Sequence, residues 1–273
     1  MAGAGRPVSS ETALAGAVTA RRWEPADVRA EFARWQAAEP TRARVLDTEA
    51  LAYVDYHSVR YARLLSTVAE LATGAHPRDR LQILDIGPNV QTALLRAAHP
   101  GAVIDTLGFA HPAMVPNPPE QHIEFDLNDV PFLARRPPTE QRYDVVVLAE
   151  VVEHLYTSLS IVLGWVAEWL RPPGFVVVQT PNGAALHKRL RLLTGRSPVA
   201  PPRACRQNPG HFHEYTLAEL RAEVAAAGLV LQSLQVDNHF GGTSAAARLY
   251  RGFGSVLPPS LRHGVTLCAR TAG

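Results

Sequence analysis

The sequence is poor in cysteine and lacks any long apolar run. Its two cysteines, Cys205 and Cys268, are too few for a disulfide framework and lack the spacing of a zinc site. No apolar run approaches the ~20 residues that a membrane helix needs. Residues 1–25 also lack the apolar segment of a secretory signal. These absences predict a cytoplasmic protein that does not enter a membrane.

The chain also lacks a strong excess of charge of either sign. Its 27 basic and 25 acidic residues give a formal net charge of +2, which argues against a nucleic-acid partner. Residues 187–206 depart from this balance, because they contain six lysines or arginines and no acid. This segment predicts either a solvated helix with a proline-rich loop or a surface for an anionic substrate.

Short apolar runs alternate with helical patterns along most of the chain. A pattern over residues 11–71, interrupted at Glu39-Pro40, predicts an N-terminal helical cap, which we place at residues 1–75. The alternation within residues 76–273 predicts an α/β domain, with a mostly parallel sheet and helices on both faces. The predicted strands are residues 81–87, 102–109, 122–127, 143–150, 175–182, 229–238 and 264–271.

Five separated motifs occur in an order that matches a known family. They are "ILDIG", an acid after the third strand (Asp126), "YDVVVLAEVVEHL", "GFVVVQTPN" and "HFHEYTLAELRAEVAAAGL". From about Arg60 onward, the chain resembles the S-adenosylmethionine-dependent methyltransferases with the Rossmann-like fold of seven strands. The branch of small-molecule O-methyltransferases is the most similar. This resemblance implies methyl transfer from S-adenosylmethionine to an oxygen, rather than a nitrogen, of a secondary metabolite or sugar.

The resemblance also implies where the methyl donor binds. Gly87, Pro88 and Asn89 form the turn after the first strand, where the cofactor carboxylate would meet a helix N-terminus. Asp85 matches the acid that contacts the cofactor amino group in the family. The family carries two or three glycines in this turn, whereas this chain has one, and Pro88 removes a backbone donor.

Further cofactor residues follow from the ends of the other strands. Asp126 and Leu127 match the adenine contacts of the family, although Asp126 could instead cap a turn. Gly108 occupies the place of the acid that binds the ribose, so an acid restored there is expected to tighten cofactor binding. Glu150 ends the fourth strand, and Arg60 either reaches the cofactor or lies on a solvated helix face.

Glu150, Glu153 and His154 have the spacing i, i+3, i+4, which places them on one face if a helix begins there. Carboxylates and an imidazole suit Mg²⁺, Mn²⁺, Zn²⁺ or Fe²⁺. The pattern resembles the metal sites of ubiquinone-pathway O-methyltransferases and of small-RNA 2′-O-methyltransferases, with His211 or His213 as a further ligand. Alternatively, Glu153 and His154 cap a helix without metal, and His154, His211 or His213 acts as the catalytic base.

Three other functions remain open from the sequence alone, and the least favoured is that of a structural partner protein. A metal-dependent RNA 2′-O-methyltransferase would account for the basic segment at 187–206. A non-methylating member of the fold would account for the missing glycines and for Gly108 in place of an acid. The expected partner is a small-molecule methyl acceptor, and the sequence allows a homo-oligomer without predicting one.

Overall fold

The computed structural model describes residues 20–46, 48–73, 80–139, 142–238, 252 and 256–272. Seven strands form one sheet in the order β3-β2-β1-β4-β5-β7-β6. The strands are β1 (Gln82–Ile86), β2 (Val103–Gly108), β3 (His122–Glu124), β4 (Tyr143–Ala149), β5 (Leu170–Pro181), β6 (Leu229–Asp237) and β7 (Gly264–Thr271). Only β7 runs against its neighbours, so the predicted α/β fold with a mostly parallel sheet is confirmed.

Eight helices surround the sheet within the described residues. They are α1 (Pro25–Ala38), α2 (Pro40–Ala43), α3 (Thr48–Tyr56), α4 (Ser58–Ala72), α5 (Val90–Ala98), α6 (Leu159–Glu168), α7 (Leu186–Leu193) and α8 (Leu217–Ala226). Short 3₁₀ turns lie at Leu127–Asp129, Leu133–Arg135, Val152–His154 and Pro259–Leu261. None of the described helices is long and apolar enough to cross a membrane.

Both faces of the sheet are buried, which explains why residues 145–149 of the central strand β4 are all apolar. In β4, Val146 and Leu148 face a cluster that includes α6 and α8, whereas Val145 and Val147 face a cluster with α1, α4 and α5. Successive side chains of a strand point to opposite faces, so a strand covered on both sides has apolar residues on both faces.

The N-terminal helices cover one face of the sheet. Val28 and Phe32 of α1 and Leu64 of α4 lie in the same hydrophobic cluster as Ile83 of β1. The predicted interruption is confirmed, because α1 ends at Ala38 and α2 begins at Pro40. The boundary near residue 75 stays a prediction, since residues 74–79 lie outside the described part.

Two strand boundaries differ from those predicted. β3 ends at Glu124 because Asp126 caps the following 3₁₀ turn by accepting the Asn128 backbone N–H at 3.0 Å. β5 begins at Leu170, before the predicted start of this strand at residue 175, and therefore includes the "RPPG" segment. Asp105 lies inside β2, where its carboxylate accepts the Tyr143 hydroxyl at 2.8 Å, away from the carboxyl ends of the strands.

Candidate functional site

The predicted cofactor residues meet along one edge of the sheet. Strands β3, β2, β1 and β4 are adjacent and parallel, so their carboxyl ends lie side by side. The Gly87 N–H donates to the Leu107 carbonyl at 2.8 Å, which joins the turns after β1 and β2. A Cβ atom added at Gly108 would lie 3.4 Å from the Gly87 nitrogen. The structure therefore places the predicted turn residues next to one another.

The turn after β1 requires its single glycine. Gly87 has a φ of +77°, and a Cβ atom there would lie 2.8 Å from the Cγ2 atom of Val151. A side chain is therefore excluded both by backbone conformation and by the close approach of the turn after β4. Pro88 follows as a buried residue, directly before the N-cap of α5.

Side chains hold the rest of this turn in place of further glycines. Asn89 caps α5, because its side-chain oxygen accepts the Gln91 N–H at 3.0 Å, while its own N–H donates to Thr92 at 3.2 Å. The Thr92 hydroxyl donates to Asp85 at 2.6 Å, and the Gln91 side chain donates to the same carboxylate at 3.3 Å. The side chains of Asp85 and Asn89 therefore support the turn, and their contact with a cofactor stays a prediction.

Burial also changes the protonation of Asp85. The side chain is fully buried, and this burial raises its pKa to about 7, although the hydrogen bonds from Thr92 and Gln91 oppose the rise. A carboxyl group with this pKa is partly protonated near neutral pH, so on average it carries less negative charge than an exposed aspartate.

Gly108 cannot be replaced by an acid without strain. Its φ is +128°, a conformation that residues with a Cβ atom rarely adopt. This conformation opposes the expectation that an acid at this position would tighten cofactor binding, because the backbone would have to change before the new side chain could be placed. The glycine lets the end of β2 pack against the turn at Gly87.

Asp126 lies at the edge in the predicted place but already has partners. One carboxylate oxygen accepts the backbone and side-chain amides of Asn128 at 3.0 and 3.1 Å. The other pairs with Arg206 at 3.2 Å, and that guanidinium lies 5.4 Å from the ring centre of Phe109. The capping role is confirmed, whereas the adenine role of Asp126 and Leu127 stays a prediction. The Leu127 side chain belongs to the core.

Arg60 is buried at the same edge, not solvated. It is 1% exposed, and its guanidinium lies 4.4 Å from the ring centre of Tyr61. None of its side-chain nitrogens makes a hydrogen bond of normal geometry to any described residue. A guanidinium keeps its charge at any ordinary pH. A buried one suits an anionic group of a ligand, and the nearby carboxyl groups of Glu150 and Glu153 already interact with this charge.

The segment after β4 does not form the predicted helix. Glu150 has a φ of +57°, and only Val152–His154 forms a 3₁₀ turn. The Glu150 N–H still donates to the Gln179 carbonyl of β5 at 2.8 Å, so the chain leaves the sheet after this residue through a left-handed conformation. The expectation that Glu150, Glu153 and His154 share one helical face is therefore wrong.

Three side chains from two segments, the turn at Val152–His154 and the loop before α8, form a compact cluster instead. Glu153, His154 and His211 each offer one ligand atom, and these atoms lie within 4.8 Å of one another. Within the described residues, Glu150 and His213 do not belong to this group. His213 lies 3.5 Å from Glu219 at the start of α8.

Glu153 presents a free carboxylate oxygen to this cluster. Its side chain is fully buried, and one oxygen accepts the Thr180 hydroxyl at 3.0 Å. The other oxygen has no hydrogen-bond partner among the described residues. A buried carboxylate oxygen without a partner is costly, so it marks a place where a proton, a cation or a ligand donor binds.

Both histidines of the cluster are held in the same tautomer. The Nδ1 atom of His154 donates to the Gly210 carbonyl at 2.9 Å, and that of His211 donates to the Glu214 carboxylate at 2.7 Å. Burial lowers the pKa of His154, and it lowers the pKa of His211 to about 4. Both rings are therefore neutral at pH 7, and each keeps a bare Nε2 atom.

Two charged residues of the site were missed from the sequence. The buried Lys188 forms an ion pair with Glu214 and donates to the Asn182 carbonyl at 3.1 Å. Burial lowers the pKa of Lys188 to about 8. Glu214 stands three residues after His211 in "GHFHE", a spacing that could have identified it. Lys188 was assigned only to the basic segment.

The acidic groups of the site are crowded. Burial raises the pKa of Glu153 well above its usual range, and the neighbouring Glu150 raises it further. Burial likewise raises the pKa of Glu150, although Arg60 and Lys188 oppose this rise. The two carboxylates compete for the same two cations, and the pocket would accept additional positive charge.

A comparison with protein families decides what this site belongs to. The family model described as "Methyltransferase domain" matches residues 56–234, which is more than half of the chain. The chain belongs to this methyltransferase family. The protein is therefore an enzyme that uses S-adenosylmethionine as methyl donor, and the non-methylating alternative is set aside. No curated protein matches the chain in sequence.

Solved structures with the same fold include other methyltransferases. One, a SAM-dependent methyltransferase from Archaeoglobus fulgidus, is 14% identical with a TM-score of 0.51, covering 82% of this chain and 100% of its own. The methyltransferase in a complex with the Trm112 activator of Haloferax volcanii is 15% identical with a TM-score of 0.50. This match covers 90% of the present chain and 98% of the Haloferax chain. The 1,6-didemethyltoxoflavin-N1-methyltransferase of Burkholderia thailandensis is 14% identical with a TM-score of 0.49, over 94% of both chains. The likeness to the Archaeoglobus and Haloferax proteins shows the fold alone.

We expect Gly108→Asp to destabilise the methyltransferase, not to improve it. The φ of +128° should cost about 1–3 kcal/mol of unfolding free energy once a Cβ atom is present. Urea unfolding measures this loss. Gly101→Asp is the control, since Gly101 lies in a turn with no atom within 4 Å of an added Cβ. Equal stability of the two variants, or tighter cofactor binding by Gly108→Asp, would contradict the argument.

Proposed function

We propose that the methyltransferase transfers a methyl group to an oxygen of a small molecule, and that Glu153, His154 and His211 hold a divalent cation on the acceptor side. The observation that carries the proposal is the cluster itself. It brings one ligand atom each of Glu153, His154 and His211 within 4.8 Å of one another after β4, and one oxygen of Glu153 has no hydrogen-bond partner among the described residues. This end of β4 adjoins the edge where the cofactor residues meet.

On the cofactor side, Arg60 is the proposed partner of the methionine carboxylate. Its unpaired guanidinium is buried at the edge and would gain charge-assisted hydrogen bonds. Asp126 and the Leu127 backbone would bind the adenine. Arg206 would then no longer form its ion pair with Asp126. Gly87 lets the backbone approach the ligand closely.

On the acceptor side, the donor set of the cluster fits a transition-metal ion. Two imidazoles and one carboxylate suit Zn²⁺, Mn²⁺ or Fe²⁺ better than Mg²⁺, which prefers oxygen ligands throughout. Both histidines donate their Nδ1–H groups to fixed acceptors, which is the usual orientation of metal-bound histidines. The positive charge would also relieve the repulsion between Glu150 and Glu153.

This donor set favours an oxygen acceptor. A bound divalent cation lowers the pKa of a hydroxyl group, whereas an amine acceptor already has a free electron pair when neutral. Adjacent oxygens, as in a sugar diol or a catechol, would fit a site with open positions. The protein residues that surround the cofactor and the acceptor then align the acceptor oxygen with the methyl carbon and exclude water.

The acceptor class is tested by incubating the protein with labelled S-adenosylmethionine, a divalent metal and matched acceptors. The panel compares vicinal diols and catechols with their monohydroxy and amino analogues. Turnover of the dihydroxy compounds, with O-methyl products identified by mass spectrometry, is expected. Methylation of the amino analogues alone would overturn the oxygen assignment while leaving the enzyme class intact.

The cofactor arrangement is tested by two variants with different ligands. Arg60→Gln should weaken S-adenosylhomocysteine binding about 10- to 100-fold, because hydrogen bonds to charged groups contribute about 1.5–3 kcal/mol each. It should leave 5′-methylthioadenosine binding unchanged, since this ligand lacks the carboxylate. Asp126→Ala should weaken the binding of both ligands. Calorimetry measures the affinities, and equal losses for both ligands in Arg60→Gln would exclude the carboxylate contact.

The metal site is tested by titrating protein that a chelator has made metal-free with Mn²⁺ or Zn²⁺. We expect one site per chain, which is lost in His154→Ala and His211→Ala, while S-adenosylhomocysteine binding is retained. His213→Ala is the matched control, because it changes a histidine of the same segment that lies outside the cluster. Absence of binding to the wild type, with activity surviving chelation, would leave His211 or His154 as a metal-free base.

A further inference from the structure

Glu214 lies directly behind His211 in a buried chain of polar groups. Its carboxylate accepts the Nδ1–H of His211 at 2.7 Å and forms an ion pair with Lys188 through its other oxygen. The side chains of Lys188 and Glu214 are only 5% and 7% exposed. A buried ion pair of this kind is costly to desolvate and contributes little net stability by itself, so its place beside the cluster needs another explanation.

The backbone fixes both ends of this chain of groups. Gly183 follows β5, and a Cβ atom there would overlap the backbone carbonyl of Glu214. The Gly183 N–H also donates to the Tyr215 carbonyl at 3.0 Å, which pins this segment to the end of β5. Lys188 donates to the Asn182 carbonyl at 3.1 Å in the same turn. The backbone of Glu214 therefore cannot shift away from the end of β5 without disturbing these contacts.

We propose that Glu214, oriented by Lys188, is a positioning residue that sets the tautomer of His211. A carboxylate can only accept, so it requires a proton on Nδ1 of the ring and leaves Nε2 bare toward Glu153 and His154. The Lys188 ammonium group can only donate hydrogen bonds, so it requires an acceptor oxygen of Glu214 on its own side. The other carboxylate oxygen of Glu214 then accepts from His211. This inference rests on the proposed function only for the use of the bare Nε2 atom, as ligand or base.

The directions of the hydrogen bonds along the series Lys188–Glu214–His211 predict different outcomes for single and double variants. In Glu214→Gln, Lys188 should bind the amide oxygen, and the amide NH₂ group then faces His211. The ring must accept at Nδ1 and carry its proton on Nε2, which points into the cluster. In Lys188→Met/Glu214→Gln, the amide is free to turn, so its oxygen can accept the Nδ1–H again. A structural role alone would not produce rescue by a second substitution.

The test reads the tautomer directly in metal-free protein by long-range ¹H–¹⁵N NMR of the histidine rings, with His211 assigned from His211→Asn. We expect the Nδ1–H form in the wild type, the Nε2–H form in Glu214→Gln, and the Nδ1–H form again in the double variant. Glu219→Gln is the control, since it alters the other His–Glu pair of the segment. Retained S-adenosylhomocysteine binding verifies that each variant is folded.

Metal affinity provides a second reading that separates this inference from the metal proposal. Glu214→Gln should lose about 10- to 100-fold in Zn²⁺ or Mn²⁺ affinity, and the double variant should recover most of it. A wild type that binds no metal but shows the expected tautomers would overturn the metal site alone. An unchanged His211 tautomer in Glu214→Gln, or an Nε2–H form in the wild type, would overturn the positioning role.

Discussion

The buried carboxyl group of Glu153 is the constraint on which the arrangement of the candidate site depends. It lies at the end of β4, fully removed from solvent, with one oxygen held by Thr180 and the other without a partner. Burying such a group is tolerated only when opposite charges or a proton compensate for the lost hydration. The nearby buried cations Arg60 and Lys188 provide part of this compensation, although lysine and arginine are seldom buried so deeply.

The cofactor edge shows that hydrogen bonds can replace glycines in a turn. Many turns of this type rely on glycine to let the backbone approach the ligand, whereas here the capping box of Asn89 and Thr92 and the buried Asp85 shape the same segment. Gly87 remains where backbone conformation and contact with Val151 leave no alternative. The glycine-poor turn is therefore compatible with the family to which the chain belongs.

Much of the site could be predicted because parallel strands bring their carboxyl ends together. Gly87, Gly108, Asp126 and Glu150 were identified as residues that follow strands, and adjacency in the sheet placed them on one edge. The helical spacing of the "EVVEH" motif was misleading. Glu150 is still bonded to β5 and takes a left-handed conformation, so the periodicity of a helix does not apply to it.

The sequence by itself determined the α/β class, the order of the elements and the family motifs, because apolar periodicity and turn residues act locally along the chain. Only the tertiary structure decided which histidine joins Glu153 and His154, and that Lys188 and Glu214 lie behind it. These groups come from segments far apart in the chain. Their contacts depend on how the ends of β4 and β5 and the segment before α8 pack against one another, and no local pattern records that packing.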